Sequence, residues 1–221
     1  MRENQTKSRE RVREYGEVFT AEREVKAMCD LVKDEIERLK SRCLEPACGT
    51  GNFLVEILNR KLAVCKATYG KDLSEYEKMS VLVITTLYGV DIMFDNVITC
   101  RERLFEIWDR EYLTVCKEER NEQTREAVRF ILSRNIICGN TLTQNCVDEN
   151  GNETEEPIIF SEWELIGKTS MQRQDYKFSV ILSTASNEKS CQLSLFDDDL
   201  GAEETYCKRV VTDYRRVQDN V

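Results

Sequence analysis

The chain has 221 residues, is 41% hydrophobic and 33% charged, and carries a formal net charge of −9. That composition suits one domain of ordinary size, or one with an appendage. It excludes a membrane helix, because no apolar run approaches the roughly 20 residues needed, and the polar stretch Met1 to Arg13 is no secretory signal. Histidine is absent, which excludes His-dependent hydrolase triads. With no Cys-x-x-Cys pair among the ten cysteines, a zinc site is not expected. The scattered cysteines read as reduced thiols of a cytoplasmic protein. The acidic balance argues against a grip on nucleic acid over the whole surface, since phosphate contacts need Lys and Arg. Arg2, Lys7, Arg9, Arg11 and Arg13 nevertheless make residues 1–14 a basic arm. A solvated, frayed arm is the ordinary reading of such a run, and an arm that touches DNA is the sharper one.

In chain order, Tyr15-Gly16-Glu17-Val18-Phe19-Thr20 leads into an amphipathic helix whose inner face is Val25, Met28, Cys29, Val32, Ile36 and Leu39, with Thr20 as its N-cap. Arg42 to Glu45 reads as a first, central strand. It runs into Pro46-Ala47-Cys48-Gly49-Thr50-Gly51 and a helix from Asn52 to Thr68. Strand, glycine turn and helix form a cradle. The glycines let a ligand approach the backbone, and the free N–H groups of the helix point into the turn. A helix over Ser74 to Thr85 precedes a second strand, Leu87 to Ile92, whose Asp91 stands where ribose hydroxyls are bound in doubly wound sheets. The simpler role for Asp91 is to cap the helix starting at Phe94. A long helical region with a break leads to a third strand, Asn135 to Cys138, then Gly139-Asn140-Thr141-Leu142. Residues 143–177 read as an inserted hairpin or loop, with Asn150-Gly151 as a hairpin turn. Phe178 to Leu182 reads as a fourth strand. Residues 184–221 are a polar tail in which Tyr206 to Val217 forms a strand or a terminal helix. Alternating strands and helices predict an α/β fold with a mostly parallel sheet.

Four separated segments together resemble the cofactor-binding half of the adenine-specific DNA methyltransferases of restriction-modification systems. Gly16 to Thr20 resembles the family's Gly-Glu-x-Phe-Thr-Pro lead-in, with Ala21 in place of proline. Glu45 to Leu54 resembles its Asp/Glu-Pro-Ala-Cys-Gly-Thr-Gly loop nearly residue for residue. Tyr88 to Ile92 resembles the end of its second strand, and Ile137 to Leu142 its Gly-Asp-x-Leu segment, with Asn140 in place of the acid. The resemblance implies a Rossmann-like methyltransferase fold over residues 15–183 and S-adenosylmethionine as cofactor. It places Phe19, Thr20, Glu45, Pro46, Ala47, Cys48, Gly49, Gly51, Asn52, Phe53, Asp91, Ile92, Asn140 and Thr141 around that cofactor. Glu45 and Asp91 would accept from its amino and ribose groups, Phe19 and Ile92 would flank it, and Asn140 would meet the adenine amine. A dehydrogenase-type fingerprint fails because Leu54 stands where its third glycine belongs, and no Gly-Lys-Ser/Thr follows for a Walker loop.

The departure from the family is equally specific. Its fourth strand runs into Asn-Pro-Pro-Tyr, which holds the flipped-out adenine. Here Phe178 to Ser183 continues into Thr184-Ala185-Ser186-Asn187, with neither proline nor aromatic ring. The expectation is a sheet truncated after about the fourth strand, cofactor binding without autonomous methyl transfer, and no catalytic residue. DNA contact would then be weak or dependent on a partner, either a second methyltransferase chain or a second copy. The alternatives are one half of a split enzyme, or an interaction or regulatory module that uses the fold as a scaffold.

Overall fold

The computed structural model describes residues 8–15, 17–181 and 209–219. Gly16, the Leu182 to Asn187 departure and most of the polar tail lie outside the described residues. Helices α1 (Arg9–Tyr15), α2 (Glu22–Leu31) and α3 (Lys33–Ile36) precede strand β1 (Cys43–Glu45). α4 (Asn52–Tyr69) and α5 (Leu73–Thr85) connect β1 to β2 (Leu87–Asp91). α6 (Phe94–Cys116) and α7 (Glu122–Asn135) connect β2 to β3 (Ile136–Asn140). β1, β2 and β3 are parallel neighbours in that order. This mixed α/β arrangement is compatible with a Rossmann-like fold.

The pleat divides the core. Side chains alternate across a strand, so Leu87, Ile136 and Cys138 face the layer of α4 to α7, in the larger apolar cluster. Tyr88, Val90, Leu44 and Ile137 belong to a second, smaller cluster on the other face. That face is covered by an antiparallel sheet of β6 (Ile159–Ile166), β7 (Ser170–Lys177) and β8 (Val210–Asp213). The Tyr88 ring meets Phe160 edge-on at 5.4 Å, and its hydroxyl donates to the Ser161 carbonyl at 3.1 Å. The parallel strands are thus buried on both faces, as parallel strands generally are.

Beyond β3 the first sheet reverses. β4 (Asn145–Val147) and β5 (Glu153–Pro157) continue it as an antiparallel hairpin, giving the order β1-β2-β3-β4-β5. The turn is closed by Asp148, whose carboxylate accepts from the Asn150 and Asn152 N–H groups, and by Gly151 at φ +84°. The second hairpin, β6–β7, follows.

Several expectations are corrected. The described part of the run from Phe178 is not a fourth parallel strand, because residues 178–181 are helical. Phe178 and Ile181, three apart on one helix face, are buried in the second cluster against Phe160. A short apolar run is compatible with either a buried strand or a buried helical turn. Among the described residues the parallel part of the sheet has three strands, and the hairpin extends it. Thr20 does not cap α2; Ala21 stands at the cap without a side-chain hydrogen bond. Met28 and Val32 are exposed, because the helix breaks at Val32 and only Val25, Cys29 and Ile36 of the apolar face are buried. Residues 210–219 form a strand followed by a 3-10 helix, and Tyr214 and Val217 enter the main core. The cysteines among the described residues are free thiols. Among those residues no helix is long and apolar enough to cross a membrane, and no cluster of His, Cys, Asp and Glu could hold a metal.

Candidate cofactor site

The carboxyl ends of β1, β2 and β3 open into one cavity of about 530 Å³. Every residue that the sequence assigned to a cofactor lines it except Gly51. Gly51 has a different task. It starts α4 at φ +86°, and a Cβ there would lie 2.6 Å from the Cys100 sulfur. Gly49, at φ +52°, makes room for the Phe19 ring, which a Cβ would approach to 3.1 Å. Both glycines therefore clear space for the protein's own side chains, and both take a backbone conformation that other residues adopt with strain.

The loop is held from several sides. The Cys48 N–H donates to the Val90 carbonyl at 2.8 Å and the Gly49 N–H to Asp91 Oδ2 at 2.8 Å. Thr141 Oγ1 donates to the Pro46 carbonyl at 2.6 Å, which joins the third-strand segment to the first. Asn52 Nδ2 donates to the Thr20 carbonyl at 3.0 Å, which brings in the lead-in segment. From α6, Arg103 donates to the Thr50 carbonyl at 2.6 Å and to Asn52 Oδ1 at 2.9 Å. The Cys48 thiol is pushed up by its hydrogen bond with Cys100 and by burial, so it is held neutral.

Asp91 stands two residues ahead of Met93, the N-cap of α6, which has no side-chain cap. It lines the cavity, and its Oδ1 accepts from the Met93 N–H at 2.9 Å and from Asn96 Nδ2 at 3.1 Å as the chain turns into α6. A carboxylate offers about four acceptor sites. With three in use, one on Oδ2 is left for a ligand. Asn96 also donates to Glu17 Oε1 at 2.8 Å. Glu17 Oε2 is buried without a hydrogen bond; Arg11 Nε is 3.0 Å away but poorly aligned. Arg11 belongs to the basic arm, and its guanidinium is committed to this network, donating twice to Asp95 at 2.8 Å. Glu45, half-buried at the end of β1, has its carboxyl pushed up by burial, against a smaller opposite effect of the Ala47 N–H.

Asn140 lies at the far rim. Its Oδ1 accepts from the Leu142 N–H at 3.0 Å, and its Nδ2 donates to Glu153 on β5 at 3.0 Å. Glu17, Asn96, Arg103 and Glu153 were not assigned to the site from sequence. Only Glu17 stood inside a recognised segment; the others come from α6 and the hairpin through long-range contacts. Among the described residues the cavity is lined by three carboxylates, Glu17, Glu45 and Asp91, and by no basic side chain. The first turn of α4 adds N–H groups without a side-chain cap. Such a donor and acceptor set fits a ligand with cationic, hydroxyl and amine groups and one anionic end.

No family model matches the chain, and no solved structure matches it. Over 120 residues, 53% of its length, it is 31% identical to a Methanocaldococcus jannaschii protein described as a type II restriction enzyme and methyltransferase. The matched segment is 10% of that relative. The chain is thus related, over about half its length, to a protein of restriction-modification type.

Proposed function

We propose that this chain binds S-adenosylmethionine and corresponds to the cofactor-binding portion of a restriction-modification DNA adenine methyltransferase, without methyl transfer of its own. The observation that carries this reading is the meeting of four distant segments in one acidic cavity: Glu17 to Thr20, Glu45 to Phe53, Asp91 to Met93, and Gly139 to Leu142. The restriction-modification relative supports the class of activity.

Bound S-adenosylmethionine supplies a methyl group activated on a sulfonium. Glu45 and the free acceptor site of Asp91 would take its amino and ribose donors, and the uncapped N–H groups of α4 would take its carboxylate. Phe19 and Ile92 would flank it. Transfer also needs a base held in line with the methyl group, and Thr184 to Asn187 lacks the proline and the ring that would hold one. DNA contact would then fall to a partner chain.

Calorimetry with S-adenosylmethionine tests the reading. Saturable heat from the native chain is expected, reduced at least about tenfold in affinity by Asp91→Ala, as for the loss of a charged hydrogen-bond partner. Absence of heat, or unchanged binding by the variant, sinks it. A tritiated-methyl assay on adenine-containing DNA is expected to give no incorporation by this chain alone.

A further inference from the structure

The hairpin β4–β5 brings one ionisable side chain to the rim of the cavity. Glu153 Oε2 accepts from Asn140 Nδ2 at 3.0 Å, and its Oε1 lies 3.4 Å from Asn145 Nδ2. Thr143 and Asn140 donate to this carboxyl and hold it below its usual range, so it is ionised at neutral pH. An ionised carboxylate only accepts, so the amide of Asn140 must turn its NH₂ to Glu153. The other end of the amide faces a pure donor, the Leu142 N–H, 3.0 Å from Oδ1. The two contacts agree, and they fix an orientation that an amide side chain is otherwise free to reverse. A carbonyl oxygen has two lone pairs. Leu142 uses one and leaves the second on a residue that lines the cavity.

We propose that Glu153 is a specificity-determining positioning residue: it locks Asn140 as a hydrogen-bond acceptor and so selects a 6-amino purine over a 6-oxo purine at this rim. The inference rests on the proposed binding of an adenosyl cofactor. It gives the hairpin a task, because β5 delivers a carboxylate next to the position where Asn140 carries none. The negative charge behind the amide strengthens its carbonyl as an acceptor and repels the oxygen of a 6-oxo ring. Glutamine at position 153 would both donate and accept, so it would leave the orientation to the Leu142 N–H alone and withdraw the negative charge while keeping the shape.

The test measures, by calorimetry on the full chain, affinities for S-adenosylhomocysteine and for its 6-oxo counterpart, S-inosylhomocysteine. The native chain is expected to prefer the 6-amino compound. Glu153→Gln is expected to narrow that preference about fivefold, the scale of one ordinary hydrogen bond, without a change in melting temperature. Glu155→Gln, which removes an equal charge from the same exposed strand, is expected to leave the ratio unchanged. A general loosening of the hairpin would weaken both ligands alike and leave their ratio fixed, which overturns the proposal. A native chain that binds the two compounds equally, or a Glu155→Gln ratio that falls as far, also overturns it. Failure of the native chain to bind either one removes the cofactor reading as well.

Discussion

Glu45 is the residue where stability and binding pull in opposite directions. Burial raises its carboxyl above the ordinary value of 4.5. A group whose folded pKa exceeds its unfolded one favours the fold at low pH, and that contribution is lost as pH rises through the folded value. At neutral pH the ionised carboxylate therefore weakens the fold, while the proposed ligand needs it ionised. Glu45→Gln is expected to melt higher than the native chain at pH 7 and to bind S-adenosylmethionine at least about tenfold more weakly. Affinity of the native chain should fall as pH drops through this raised range, with a flatter profile in the variant; calorimetry across a pH series checks both. Which residues were legible follows from the same physics. Glu45, Gly49 and Asp91 belong to short segments whose chemistry is local, a strand end and a turn, and their order along the chain is informative. Arg103, Asn96 and Glu153 bond Asn52, Glu17 and Asn140 from 51, 79 and 13 residues away, and no local pattern marks such a partner. The Gly51 requirement was visible, but its reason was not, since the Cys100 sulfur that fills its space comes from α6.

Among the elements, those with a long period or a motif at the end were legible: α4, α5, β2 and β3. The run from Phe178 was not, because its few apolar residues satisfy a strand and a helical turn equally. Nor was the docking of the last segment. Glu77 of α5 is buried and accepts from Tyr112 of α6 at 2.5 Å, from the Tyr214 hydroxyl at 2.6 Å and from Arg215 Nε at 2.5 Å. One carboxylate thus ties residues 214–215 to two helices of the main core. A buried charge left without its partners costs several kcal/mol. Glu77→Ala removes the shared acceptor of Arg215 and of the Tyr112 and Tyr214 hydroxyls and is expected to lower unfolding free energy by about 3 kcal/mol, about 1 kcal/mol for each of the three bonds. Tyr214→Phe removes one donor and should lower it by about 1 kcal/mol. Urea titration measures both, and equal values for the two would show that the carboxylate is not the hub.

For the whole molecule, the parallel centre was readable from alternating strands and helices, whereas the sheet that covers its second face was not. β6 and β7 carry a polar sequence around few apolar anchors, and their burial depends on where Tyr88 and Val90 point. Charge is the other property of this scale. Among the described residues, a chain with a net −9 lines its crevice with three carboxylates and no base, and such a field acts on a ligand by its net charge. Methyl transfer converts a sulfonium into an uncharged thioether. If the proposed S-adenosylmethionine occupies this crevice, the acidic lining would hold that cationic donor more firmly than the uncharged thioether S-adenosylhomocysteine. The ratio of the two affinities should narrow as salt rises from 0.01 M to about 1 M, over which the screening length contracts from about 30 Å to about 3 Å. A ratio independent of salt would mean that contact geometry alone, rather than the acidity of the crevice, sets the preference between the two.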